Sequence, residues 1–233
     1  MGTRVYTGWS SRYEREEKSI EPYKKYVFIC EGQNTEVQYF KKFISLRKQI
    51  GIHSLIDIQL LERTDEDRSN SYVTHLYRLA NEYMEQGEFD KEHDKMIVVF
   101  DADIFEYKSP RYNELVVEGE RNSFMLGVTN PGFEIFLLLH FDNAYKELIE
   151  PDINEFLKEE NLGKKGLAYR KLLDKTNMNS KTNFKIGELA ENITKAIAEE
   201  KKLNQDIHNC KGRITSNIGK IIEKIIDERD VLD

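Results

Sequence analysis

Cysteine, proline and tryptophan are scarce in this chain of 233 residues: two Cys, four Pro and one Trp. Cys30 and Cys210 lie in no paired-Cys motif. A disulfide framework and a structural zinc knuckle are therefore both unsupported. Cys30 ends an apolar run, where a buried, inert thiol is expected. The five histidines have no ligand-like spacing, and His140, behind three leucines, reads as a core imidazole. Long apolar runs are also missing. The longest, Ile135 to Leu139 and on past His140 to Phe141, is far too short to span a bilayer. Residues 1–24 are polar and mixed in charge, unlike a signal peptide. A reducing cytoplasm is the expected location, with no membrane partner. No P-loop, Gly-x-Ser-x-Gly elbow or dinucleotide-binding glycine signature occurs, so metal-assisted chemistry is the best-supported enzyme class.

What is present is an acid at the end of one apolar strand and two more at the end of another. Lys25–Cys30 runs into Glu31-Gly32-Gln33-Asn34-Thr35-Glu36, and Lys95–Phe100 runs into Asp101-Ala102-Asp103. The carboxyl ends of parallel strands are where open α/β sheets place their sites. Two acids two residues apart repel each other unless a cation neutralises them. Glu31, Asp101 and Asp103 are hard oxygen donors of the kind Mg²⁺ or Mn²⁺ prefers. An Asp after a strand can instead cap the next helix. Glu36 and Glu134, each in a first helical turn, can simply complement the helix dipole.

The periodicity predicts strands at about 26–30, 55–61, 96–100 and 124–128. Helices are predicted from Asn34 or Thr35 to Gly51, from Ser69 or Asn70 to about Gln86, over Tyr112–Glu120, and from Asn130-Pro131 through Phe141. This alternation predicts an α/β fold with a mainly parallel sheet flanked by helices. Residues 1–22 read as a leader that docks through Tyr6 and Trp9, 23–150 as the core, and 151–233 as a helical extension. The extension ends in an amphipathic helix capped by Ser216.

The formal net charge of −7 gives no global argument for nucleic acid. Within Gly163–Lys185, however, seven cations face one anion, with Tyr169 and Phe184 interleaved. Lys164, Lys165, Arg170 and Lys171 are candidates for tracking phosphates. A solvated loop is the plainer reading of the same charges.

Cys30–Glu36 with Tyr39-Phe40, then Val99–Asp103, then Thr129–Glu134 leading to Leu137–Phe141, resemble in order the three signature blocks of the RloB family. The lysine-rich stretch and Gly212–Ile218 are similar to that family's carboxyl-terminal part. The resemblance implies a Toprim-type core in which the Asp pair binds Mg²⁺ and the Glu acts as metal ligand or general acid/base. Glu31 then takes the Glu role, and Asp101 and Asp103 the Asp-x-Asp role. Glu36 and Glu134 match further acids that complete the site. Ala102 stands where a charged residue is common among relatives. The implied function is a metal-dependent nuclease acting on DNA or RNA in prokaryotic anti-phage defence, alongside restriction–modification genes. The alternative is a non-catalytic nucleic-acid-binding or sensor subunit. Relatives in this family often work with an ATPase subunit; this chain carries no ATPase motif, so any ATP-driven step needs another subunit, and a homodimer is a compatible assembly.

Overall fold

In the computed structural model, residues 3–7, 22–64, 73–102, 111–162 and 165–228 are described. Four apolar segments form the parallel centre of one sheet: β2 (Lys24–Cys30), β3 (Ile56–Arg63), β4 (Lys95–Asp101) and β5 (Met125–Asn130). Two short antiparallel strands flank them, β1 (Thr3–Thr7) on β3 and β6 (Thr215–Ser216) on β5, giving the order β1-β3-β2-β4-β5-β6. The α/β fold with a mainly parallel sheet is as the sequence predicts. Thr3–Thr7, read from sequence as part of a leader, is an edge strand whose Tyr6 ring lies 5.3 Å from the Lys41 ammonium. Trp9 and the expected cap at Ser69 or Asn70 lie outside the described residues.

The central strands are apolar throughout because both faces are covered. Alternate side chains serve alternate faces. Val27, Ile29, Val98, Phe100 and Val128 pack under α2 (Val73–Met84) and α3 (Tyr112–Arg121). Phe28, Cys30, Leu60, Ile97 and Val99 pack on the other face against α1 (Thr35–Leu46) and α4 (Glu134–Leu138). That second core continues without a break into the carboxyl-terminal region. It takes in α5 (Leu167–Thr176), a 3₁₀ segment (Phe184–Asn192), α6 (Ile193–Glu200) and α7 (Ile218–Asp227). The 3₁₀ segment lies so close to α1 that a Cβ on Gly187 would meet the Gln38 carbonyl at 2.5 Å. Gly51, the predicted end of the first helix, and Gly87, just past the predicted end of the second, take positive φ values of 83° and 87°. Among the described residues no helix is long and apolar enough to cross a membrane.

Two predicted caps are corrected. Ser216 does not cap the last helix. Its hydroxyl donates to Glu200 Oε1 at 2.5 Å, and the buried Glu200 carboxylate itself accepts from the amides of Gly219 and Lys220, both at 2.8 Å. A carboxylate borrowed from α6 satisfies the open amides of α7 better than a hydroxyl would. Asn130 does not start the fourth helix either. It ends β5, and its amide donates to the carbonyls of Cys210 and Arg213, each at 3.0 Å.

Candidate functional site at the carboxyl ends of β2, β4 and β5

β2 and β4 are neighbours in the sheet, so the residues that follow them are neighbours too. Cys30 is in register with Val99, and the Glu31 amide continues the ladder to the Val99 carbonyl at 2.9 Å. The Glu31 carboxylate then turns across to β4 and accepts from the Asp101 amide at 3.1 Å. Asp101 is in register with Thr129 of β5, whose hydroxyl donates to Asp101 Oδ1 at 2.6 Å. Arg63, at the end of β3, donates to the Glu31 carbonyl. The four parallel strands thus each place one residue at the same end of the sheet.

Two further acids come from helix starts. Glu36, in the first turn of α1, is only 7% exposed. Its carboxylate lies over Gly32, where a Cβ would fall 1.8 Å from Oε2, so the turn after β2 leaves the carboxylate its space only because residue 32 is glycine. Glu134, in the first turn of α4, is 6% exposed. Gly132 separates it from Asp101: a Cβ there would lie 3.4 Å from both Asp101 Oδ2 and Glu134 Oε2. The loop before α4 contains a cis peptide between Asn130 and Pro131.

The charges in this cluster are felt. Burial pushes the Asp101 carboxyl well above the usual carboxylate range, and Glu36, Glu31 and Glu134 add to the effect against the Thr129 hydrogen bond. Burial also raises Glu36, with Lys181 opposing. Lys181 comes from the loop after α5. Its ammonium sits 2.6 Å from Glu134 Oε1, while the neighbouring Ser180 hydroxyl donates to the same oxygen at 3.1 Å. Burial favours the neutral form of Lys181, yet Glu134, Glu36 and Asp101 outweigh it and the ammonium titrates above its ordinary value.

Of the sequence-derived site residues, Glu31, Glu36, Asp101 and Glu134 are brought together. Asp103 lies outside the described residues, so half of the Asp-x-Asp pair is placed. Of the basic candidates, Lys164 is also outside them. Arg170 donates to Asn161 Oδ1 at 2.6 Å and to the Lys165 carbonyl at 3.2 Å, and Lys171 pairs with Asp152 at 2.6 Å, so both are engaged within the chain. The helix that carries them, α5, packs against α4 beside the site. Thr129, Arg63, Ser180 and Lys181 were not singled out from sequence. Thr129 had a signal, the end of a fourth strand level with the other two. The others had none.

His140 is a core imidazole. Its Nε2 meets the Tyr39 hydroxyl at 2.9 Å, and burial lowers its pKa to about 4, so it is neutral near pH 7.

The donor set is all oxygen, which suits a hard divalent ion. Among the described residues, no group of three or more His, Cys, Asp or Glu is positioned to hold one. Donor chemistry suits a cation, but the acids brought together here do not form a ligand set as they stand.

A family model described as RloB-like protein matches residues 26–225, spanning the sheet, the acid cluster and the carboxyl-terminal helices. No curated protein and no solved structure matches the chain.

Proposed function

The chain belongs to the RloB-like protein family, and on that premise we propose that it is a metal-dependent nuclease. It would hydrolyse phosphodiesters of DNA or RNA as part of a prokaryotic anti-phage defence system, on a Toprim-type core. The observation that carries this reading is the meeting of Glu31, Asp101, Glu36 and Glu134 at one end of adjacent parallel strands, with Asp101 held in a state that disfavours its own charge. Perturbed acids collect at functional sites, and a cluster of them at the end of a parallel sheet is a candidate for one.

Glu31, Asp101 and Asp103 are the residues that would hold Mg²⁺ or Mn²⁺, with Glu36 beside them. When bound, such an ion supplies Lewis-acid stabilisation of phosphoryl charge and acidifies water. The chain's own residues do the rest. Thr129 and the Glu31 carboxylate fix the side chain and the backbone of Asp101. Arg63 pins the turn that carries Glu31. Glu31 would serve as ligand or as general acid/base, and Glu134, held by the Ser180 hydroxyl, is a second acid across Gly132 from Asp101.

A second reading is a binding or sensor subunit that works with a separate ATPase. It is favoured by the engagement of Glu134 with Lys181 and by the lack of a ready three-acid set among the described residues. Incubating the pure protein with DNA, transfer RNA and other RNA, with Mg²⁺ or Mn²⁺, separates the two. The nuclease reading expects cleavage that Asp101→Ala abolishes. No cleavage of any substrate, or equal cleavage by the variant, overturns it.

A further inference from the structure

Lys181 sits in an acidic site to which residues from the sheet and from α1 and α4 contribute, yet it arrives from a loop between α5 and the 3₁₀ segment. That loop is firmly placed. Asn177 ends α5 in a left-handed conformation, φ 54°. The Asn179 side chain accepts from the Lys181 amide at 3.0 Å. The buried Ser180 is gripped twice: its carbonyl accepts the Thr35 hydroxyl of α1 at 2.9 Å, and its hydroxyl reaches Glu134 of α4. Backbone and neighbours therefore fix where the Lys181 side chain begins. The side chain itself remains 41% exposed, although its ammonium is 2.6 Å from Glu134, which is almost wholly buried.

As a salt bridge alone the pair contributes little, since a half-solvated ion pair is worth about 0–1 kcal/mol. The lysine is anchored at its root and open at its tip. The requirement it meets is electrostatic. A polyanion approaching four carboxylates is repelled, and a cation rooted among them offers the phosphate a partner there. We infer that Lys181 is a further catalytic residue, whose ammonium leaves Glu134 to contact the non-bridging oxygens of the phosphodiester being cut. The inference rests on the nuclease reading and adds a residue to it.

The test compares the full chain with Lys181→Ala and Lys181→Gln, using 5′-labelled DNA and RNA oligonucleotides of one sequence at saturating Mn²⁺. The DNA and RNA arms show which polymer supplies the phosphodiester. A phosphate contact made in the transition state predicts that cleavage falls by about 100-fold or more in both variants, with Lys181→Arg keeping more activity than either. Saturating Mn²⁺ should not repair the loss. A lysine that merely neutralised acids would be replaced by the ion, so variants within about threefold of the parent at saturating Mn²⁺ overturn the proposal. Thermal melting of each variant identifies one that fails to fold, and the Gln variant keeps the stem length if Ala does not hold. If the parent binds an oligonucleotide without cutting it, the nuclease reading has failed, and Lys181 is judged on affinity. About tenfold weaker binding in the variants sustains the phosphate contact, and unchanged affinity overturns it. A parent with no affinity for either polymer overturns it as well.

Discussion

Removing the charge of Asp101 while keeping its shape should stabilise the metal-free protein, although the residue is the one the site depends on most. In Asp101→Asn the Thr129 hydroxyl still has an oxygen to donate to, so the 2.6 Å hydrogen bond can survive. What disappears is the cost of burying a charge, and with it the repulsion from Glu36, Glu31 and Glu134. Asp101 Oδ2 and Glu134 Oε2 each lie 3.4 Å from one point, the Cβ position of Gly132. They are therefore at most about 6.8 Å apart, and with an effective dielectric near 20 two unit charges at that distance repel by about 2 kcal/mol. Lys181 attracts Asp101 and offsets part of this, leaving a net gain of about 1–2 kcal/mol, or about 2–8 °C in Tm for a chain of this size. The pH dependence follows from the direction of the shift. The folded-state pKa of Asp101 is raised by burial and by its acid neighbours. Its protonated form is therefore favoured by folding, and that stability is full below the ordinary carboxylate pKa and lost as pH rises through the folded value. Asn imitates the protonated form. Parent and variant should melt together near about pH 4 and separate as pH rises to about 8. Scanning calorimetry in EDTA across that range measures this. Added Mn²⁺ should then reverse the order, since an ion at 100 times its Kd contributes about 2.7 kcal/mol to the parent and much less to the variant. A variant that melts below the parent in EDTA near pH 8 would refute the repulsion argument. Equal stabilisation of both by Mn²⁺ would refute the assignment of Asp101 as a ligand.

The parts of the fold that could be read from sequence are those where one physical demand fixes residue type over several positions. Val27–Cys30 and Met96–Phe100 are apolar at every position because helices cover both faces, and such runs have one interpretation next to turn signals. The edges lacked that demand. Thr3–Thr7 is partly solvent-facing and mixes polar with apolar residues, so its pairing with β3 is decided by Arg63 and its neighbours far along the chain. β6 has two residues, too few for any period. The site divides in the same way. Glu31 and Asp101 are marked by the strands they terminate. Lys181 meets Glu134 only because α5 folds back on α4, and nothing local separates it from the six other cations between Gly163 and Lys185. Glu200 escaped for a related reason: its hydrogen bonds run 16 to 20 residues forward to Ser216, Gly219 and Lys220, and Ser216 offered a nearer and more ordinary cap.

The remaining expectations concern Glu134, Glu200 and Gly32. Glu134→Gln keeps an oxygen for Ser180 and removes the charge facing Lys181, so a site role predicts an activity loss well over tenfold at a stability cost near or below about 1 kcal/mol; cleavage close to the parental rate would remove Glu134 from the site. Glu200→Ala strips the acceptor from the Gly219 and Lys220 amides, and urea unfolding should show a loss of about 2–4 kcal/mol with the m-value unchanged; a loss below about 0.5 kcal/mol would mean that water caps α7 equally well. Gly32→Ala isolates geometry from charge. The new methyl would lie 1.8 Å from Glu36 Oε2, 2.1 Å from Oε1 and 2.1 Å from the carboxyl carbon, so the Glu36 carboxylate must leave its position while every acid of the site remains. The displaced group is the end of a side chain, so Glu36 can rotate away and the fold should lose no more than about 1–2 kcal/mol. If Glu36 only complemented the dipole of α1, a carboxylate moved by an ångström or two would serve nearly as well and cleavage would be unchanged. If its place beside Asp101 is part of the chemistry, a misplacement of about 1 Å costs about 100-fold in rate. Melting and cleavage measured on the same preparation decide between the two, and a folded Gly32→Ala protein that cuts at the parental rate would show that Glu36 has no part in the site.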